Sequence, residues 1–190
     1  MTGQLLPASQ GVGPLLQRDY WAVFTDCRFR PSELITQIKQ DFCSLPPSPL
    51  VQFEAGSGIR LGADLDIRIA PAQQCCVRVV HEDAQSFTLG TLDGHPEAGR
   101  ITFGAYRNPR GDVIFHIRSR ARSATIPGRI GFLAIGDAMQ TNTWTDFITN
   151  AAAAAGARIN GVIHASTEEV EPVPEDDDPL ESPTYQTVGD

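Results

Sequence analysis

Apolar and polar residues alternate most cleanly between Asp112 and Ser123. Val113, Phe115, Ile117, Ser119 and Ala121 fall on one face of an extended chain; Ile114, His116, Arg118, Arg120 and Arg122 fall on the other. Successive strand side chains point to opposite faces, so the pattern predicts a strand with one apolar and one cationic side. Such a strand belongs in an antiparallel sheet covered on one face. Arg100 to Arg107 alternates too, with Ile101, Phe103 and Ala105 opposite Thr102, Gly104 and Tyr106. Asn108-Pro109-Arg110-Gly111 between the two is turn chemistry, because proline presets φ and glycine takes conformations other residues avoid. Earlier runs repeat the period: Leu15 to Arg28, Leu50 to Glu54, Leu65 to Ile69, Cys75 to His81 and Ser86 to Leu92. Together they predict about seven strands in series.

Two stretches carry the helical period instead. Arg30-Pro31-Ser32-Glu33 is a helix start, with proline in the first turn and an acid near the N-terminus. Leu34, Ile35, Ile38 and Phe42 follow at helical spacing, and Leu45-Pro46-Pro47-Ser48-Pro49 ends the run. A longer helix is expected from near Pro127 to about Ala155, with Gly156 as its left-handed cap. One stripe of it holds Ile130, Leu133, Ala134, Trp144, Ile148 and Ala151, interrupted by Asp137 and Thr141. Arg158 to Ala165 reads as a final strand. The order of strand, helix, many strands and long helix predicts an α+β fold. A strongly curved antiparallel sheet would wrap around a long C-terminal helix and enclose a core or cavity.

Charge changes the domain picture. The 190 residues carry a net charge of −8, but nine of the 23 acids lie from Thr167 onward, with no basic residue among them. The rest has 14 acids against 15 bases, and Lys39 is the only lysine. The acidity therefore belongs to residues 166–190, read as a disordered tail that cannot bury enough apolar surface to offset its ordering entropy. Residues 1–14 read as a flexible lead-in and 15–165 as one domain. A nearly neutral body with few aromatics among its arginines speaks against nucleic acid. No long apolar run is available to span a membrane. The N-terminus lacks the blocks of a signal peptide, so a cytoplasmic protein is expected. Cys27, Cys43, Cys75 and Cys76 make no zinc framework and a poor disulfide framework; they read as small buried thiols. The four histidines show no ligand spacing, so neither metal nor cofactor is expected.

Thr91-Leu92-Asp93-Gly94-His95-Pro96-Glu97-Ala98-Gly99, followed by a strand and then Phe115-His116-Ile117-Arg118-Ser119-Arg120-Ala121-Arg122, resembles a bacterial and plant family. It is the domain-of-unknown-function family 1990. The Gly-His-Pro-Glu-x-Gly run is the most specific part, and the resemblance extends over roughly Leu15 to His164. It implies a helix-grip fold of the pollen-allergen and lipid-transfer kind, with an internal cavity. It implies no activity.

Three groups of residues could carry function. His95 and Glu97 lie in a glycine-bounded loop, where imidazole and carboxylate could share a proton-transfer task; the alternative is a turn whose side chains bond loop backbone. His116, Arg118, Arg120 and Arg122 form a cationic face that either binds an anion or is balanced by cross-strand ion pairs. Asp137, Thr141 and Trp144 on the helix, with Phe115 and Ile117 on the sheet, would line the cavity; a buried carboxylate there would be a ligand anchor or half of an ion pair. The leading expectation is a binding protein for a small apolar or amphipathic molecule. The alternatives are an enzyme using His95 and Glu97 at the cavity mouth, and an interaction module using the acidic tail. That tail is expected to contact a protein partner or, through Glu168 to Glu181, to cover the Arg118, Arg120 and Arg122 face transiently.

Overall fold

The computed structural model describes residues 3–47, 51–69, 73–125 and 137–177. In chain order the strands are β1 (Val12–Thr25), β2 (Val51–Glu54), β3 (Asp64–Ile69), β4 (Gln73–Glu82), β5 (Ser86–Thr91), β6 (Glu97–Arg107), β7 (Val113–Ser123) and β8 (Arg158–Glu169). They form one sheet in the order β2-β3-β4-β5-β6-β7-β1-β8, with every pairing antiparallel. Helix α1 (Pro31–Asp41) follows β1, α2 (Asp137–Ala154) precedes β8, and a single turn, α3 (Pro174–Asp177), follows it.

The alternation of β7 is realised in full. Val113, Phe115, Ile117 and Ala121 are buried on the inner face, and register places Phe103 beside Ile117 and Tyr20 across from it. On this face an aromatic cluster sits within a largely aliphatic core. Phe42, in the 3₁₀ turn after α1, lies with its ring centroid 5.1 Å from Phe53, 5.7 Å from Phe87, 5.2 Å from Phe103 and 5.5 Å from Phe147 of α2. Three of these contacts are edge-on, the arrangement the ring quadrupole favours. At the start of α1, the Glu33 carboxylate accepts from the Arg30 N–H at 2.8 Å, satisfying a donor the helix itself cannot. At the end of α2, Gly156 takes φ 62° and Ala157 N–H bonds the Ala152 carbonyl. Arg28 adds a donor to the Ala154 carbonyl.

Several expectations need correction. The sheet has eight strands: seven in series and the expected final strand, which follows α2, runs four residues further than expected, to Glu169, and pairs along the far side of β1. The long helix is therefore not C-terminal. It is described from Asp137, so its expected start near Pro127 lies outside the described residues. Residues 3–14 are not a loose lead-in: Leu6 N–H bonds the Thr91 carbonyl at 2.8 Å, Leu6 accepts from Gly99 N–H, and β1 begins at Val12. The part of the tail from Ser166 to Asp177 is not disordered either. Ser166 to Glu169 complete β8, Val170 N–H bonds the Leu15 carbonyl, and Asp176 is buried. Residues 178–190 lie outside the described residues. Of the cysteines only Cys75 is buried, and Cys43 is exposed; all four are free.

Candidate functional site

Strand parity brings an unexpected charge into the apolar interior. Arg18 shares the inner face of β1 with Tyr20, Ala22 and Phe24, beside Ser119 of β7, and is 0% exposed. Its Nη1 donates to Glu97 Oε1 at 3.3 Å, and Gln140 Nε2 from α2 donates to the same oxygen at 2.8 Å. Glu97 opens β6 at the end of the Gly94–Gly99 loop. Thus β1, β6 and α2 place an arginine, a carboxylate and an amide together where the rest of the wall is apolar. Two further buried polar atoms have no hydrogen-bond partner, Trp144 Nε1 and Ser119 Oγ. Ser119 pairs in register with Ile101, one inward position along β6 from Phe103, whose ring lies 5.6 Å from Trp144. A buried N–H without an acceptor costs free energy comparable to a lost hydrogen bond.

The expected residues are distributed over both faces and the loop. Phe115 and Ile117 are inner-wall residues at 0% exposure, and Thr141 is half-buried beside Trp144's turn of α2. The Asp137 side chain lies outside the described residues. Arg118, Arg120 and Arg122 are on the outer face, each with an acceptor. Arg118 Nε bonds Asp19 at 2.6 Å, Arg120 meets Asp176 and Gln17, and Arg122 bonds the Gly13 carbonyl. Asp19 also takes His116 Nε2 at 2.6 Å. Burial would raise the Asp19 carboxyl, but the hydrogen bonds from His116 and Arg118 outweigh it and hold it down at about 2. Arg118 and Arg120 are thus balanced by carboxylates, and Arg122 is held by a backbone carbonyl. Of the Arg118, Arg120 and Arg122 face that Glu168 to Glu181 was expected to cover, Asp176 meets Arg120, and it meets Arg100 beside it.

His95 lies against the loop, in the turn-bracing arrangement that was the alternative to a proton-transfer role. Its Nδ1 lies 3.0 Å from both the N–H and the carbonyl of Glu97, so the ring braces the loop backbone. Burial pushes its pKa down to about 4, against the opposing backbone bond. An unfolded histidine titrates near ~6.5, so the unfolded chain binds the extra proton between the two values. The stability that neutral His95 contributes is complete above about pH 6.5 and lost as pH falls toward 4. His95→Asn keeps an acceptor for the Glu97 N–H and removes the titration. Its urea midpoint is expected to fall less steeply than wild type between pH 6.5 and 4, a difference of up to about 3 kcal/mol. Parallel curves would contradict this. Burial pushes the Cys75 thiol up to about 12, with Cys76 and Glu97 adding to the effect, so it is held as the thiol and not the thiolate.

Arg18, Gln140, Asp19 and Asp176 were not singled out from the sequence. A signal existed for Arg18, an arginine in the same alternating phase as Tyr20, Ala22 and Phe24. Among the described residues no group of three or more His, Cys, Asp or Glu side chains is placed to hold a metal, and no helix is long and apolar enough to cross a membrane.

The sequence profile of a domain of unknown function, DUF1990, matches residues 46–160, more than half of the chain. The chain belongs to the DUF1990 family. The matched part contains the Gly94–Gly99 loop, Glu97 and Gln140 but not Arg18. A comparison with curated protein sequences finds no match. Among solved structures, the DUF1990 chain is similar to norcoclaurine synthase of Thalictrum flavum in complex with a transition-state analogue, with a TM-score of 0.56 at 8% identity over 76% of this chain and 96% of that one. A second structure of that enzyme, in complex with dopamine and hydroxybenzaldehyde, gives 0.53 at 10% identity over 80% and 92%. A protein from Arthrobacter aurescens gives 0.52 at 12% identity over 74% and 86%. At such identities the likeness establishes a shared fold, the helix-grip fold, for this DUF1990 protein.

Proposed function

We propose that this DUF1990 protein binds one small amphipathic molecule between the inner face of the sheet and α2, which the sheet grips. The observation that carries the reading is the buried polar group set in an apolar wall: Arg18, Glu97 and Gln140, with Trp144 Nε1–H and Ser119 Oγ lacking protein partners. A mostly apolar site with a few convergent polar groups is the usual constitution of a small-molecule site. The ligand's apolar part would lie against Phe103 and Trp144, and its polar end would accept from the Trp144 indole. The fold supports this reading, since norcoclaurine synthase has been solved with small aromatic molecules. Proton-transfer chemistry by His95 is not part of the proposal, because its Nδ1 is engaged by backbone.

Native mass spectrometry of the purified protein tests it. A stoichiometric adduct lost on denaturation is expected, and the released molecule can then be titrated back. Trp144→Phe keeps the aromatic packing and deletes only the donor. It should weaken that binding about tenfold, the worth of one ordinary hydrogen bond to a buried group, with little change in melting temperature. Absence of any adduct, and of any response of Trp144 fluorescence to a panel of amphipathic molecules, would remove the reading.

A further inference from the structure

Arg100 and Arg120 are direct cross-strand partners on the outer face of β6 and β7. Both are nearly fully buried, at 5% and 7% exposure. Like charges directly opposite each other in a sheet repel, and burying them costs more. Such a pair is stable only with an anion between its members. Here the anion is Asp176, brought by the segment that follows β8. Arg120 Nη2 donates to Asp176 Oδ2 at 2.8 Å and Arg120 Nε to Oδ1 at 2.9 Å. Val173 N–H takes Oδ2 at 2.9 Å. Arg100 receives what is left, one bond from Nη2 to Oδ1 at 3.2 Å.

The fit is incomplete on the arginine side. Arg100 Nε is buried and has no hydrogen-bond partner. A carboxylate has two oxygens, and both are already shared among Arg120, Val173 and one Arg100 nitrogen. A phosphate group offers more acceptor oxygens, tetrahedrally spread, and more charge, so it could meet both guanidinium forks at once. Gln17, whose Oε1 accepts from Arg120 Nη1 at 2.6 Å, fixes the Arg120 plane from β1. Arg120 Nη2 also holds the Glu171 carbonyl at 2.9 Å, so the covering segment and the site are joined at two points.

We propose that the Arg100–Arg120 pair is a binding site for a phosphate group, occupied in this state by Asp176 as a tethered substitute. Binding of the phosphate displaces Glu171 to Asp177 from the outer face. The site lies on the opposite side of the sheet from the proposed interior ligand and stands or falls separately from it.

The test uses the full chain. Inorganic phosphate is titrated calorimetrically at low ionic strength into wild type, Asp176→Asn and Asp176→Asn/Arg120→Gln. Removing a competitor held at high effective concentration should tighten binding by about tenfold or more in Asp176→Asn, and the second substitution should abolish the gain. Co-sedimentation with phosphatidic acid vesicles, against phosphatidylcholine vesicles, identifies the source of the phosphate. A gain with vesicles alone assigns the site to a lipid headgroup, and a gain with both assigns it to the phosphate group itself. A third measurement needs no variant: phosphate, compared with chloride at equal ionic strength, should speed hydrogen exchange at the Val173 amide, whose acceptor is Asp176. If Asp176→Asn gains affinity for neither probe, or gains it equally without Arg120, the proposal is wrong. If that variant does not fold, unchanged Val173 exchange in wild type overturns it alone.

Discussion

Gly99→Ala is expected to be among the most damaging single-methyl additions in this protein. A Cβ at this position would lie 2.2 Å from the Arg120 carbonyl oxygen and 2.7 Å from Ala121 Cα, and the backbone φ is 151°. Backbone atoms cannot yield as a flexible side chain can. Nor can β6 swing away, because Gly99 pairs with Ala121, its N–H bonds Thr91 Oγ1 at 3.0 Å, and Thr91 in turn donates to the Leu6 carbonyl at 2.9 Å. Overpacking against backbone together with a strained φ should cost more than about 3 kcal/mol. In a chain of this size that is a drop in melting temperature of about 10 °C or more. Gly94 in the same loop is the control. Its φ is 90° but nothing lies within 4 Å of the added methyl, so Gly94→Ala should cost only about 1–2 kcal/mol. Thermal denaturation of the two variants side by side separates the effects; equal melting temperatures would show that the β6–β7 approach is not the reason for Gly99.

Phe42→Ala should cost about 3–5 kcal/mol, the range for deleting a buried ring. Phe42 is 1% exposed, and it joins the α1 side of the molecule to Phe53 on β2, Phe87 on β5, Phe103 on β6 and Phe147 on α2. No other ring touches as many elements among the described contacts. Its neighbours are held by strands and helix and cannot collapse fully into the gap. The midpoint in urea should therefore fall while the slope stays that of wild type. The vacated space is apolar and should take up benzene or xenon, with recovery of part of the lost stability. A variant as stable as wild type would mean that the aromatic cluster is not the keystone of the core.

The strands were legible where their alternation runs unbroken, as in β7: Phe115 and Ile117 point inward and Arg118 and Arg120 outward, as the period requires. Beyond Ala165 composition misled. Acids and prolines suggested a chain with nothing to bury, yet Ser166 to Glu169 complete β8 through backbone pairing, which asks little of side chains, and Asp176 is buried as a counter-ion. Neither effect has a local signature, since each depends on β1 or Arg120 far away in sequence. The candidate site was legible in part. Trp144 was marked by the helical stripe and Glu97 by the loop. Glu97 was paired with the wrong neighbour, because proximity in sequence favoured His95, whereas strand parity turns residue 97 toward Arg18. Arg18 is visible as a charge in an apolar phase, but one of 14 arginines carries little weight without its distant partners Glu97 and Ser119.

The position of β1 also governs how the chain can assemble. β1 is the first strand in chain order, yet both of its neighbours, β7 and β8, come from the far half: Asp19 sits across from Arg118, and Trp21 across from both His116 and His164. The strand that lies second from the sheet's end in space is made before the other seven, and it must wait for residues about a hundred positions later. Pairings of such separation carry the closure entropy of a loop about half the chain long before any contact offsets it, which makes folding slow. During that wait a 14-residue strand bearing Tyr20, Trp21 and Phe24 has two open edges, the kind of segment that invites pairing between nascent chains. β2 to β6, each joined to the next in sequence, can zip up meanwhile. The β8 addition thus covers the second edge of β1 and takes over as the edge strand of the sheet, so the flank of β1 stays open until the last strand arrives.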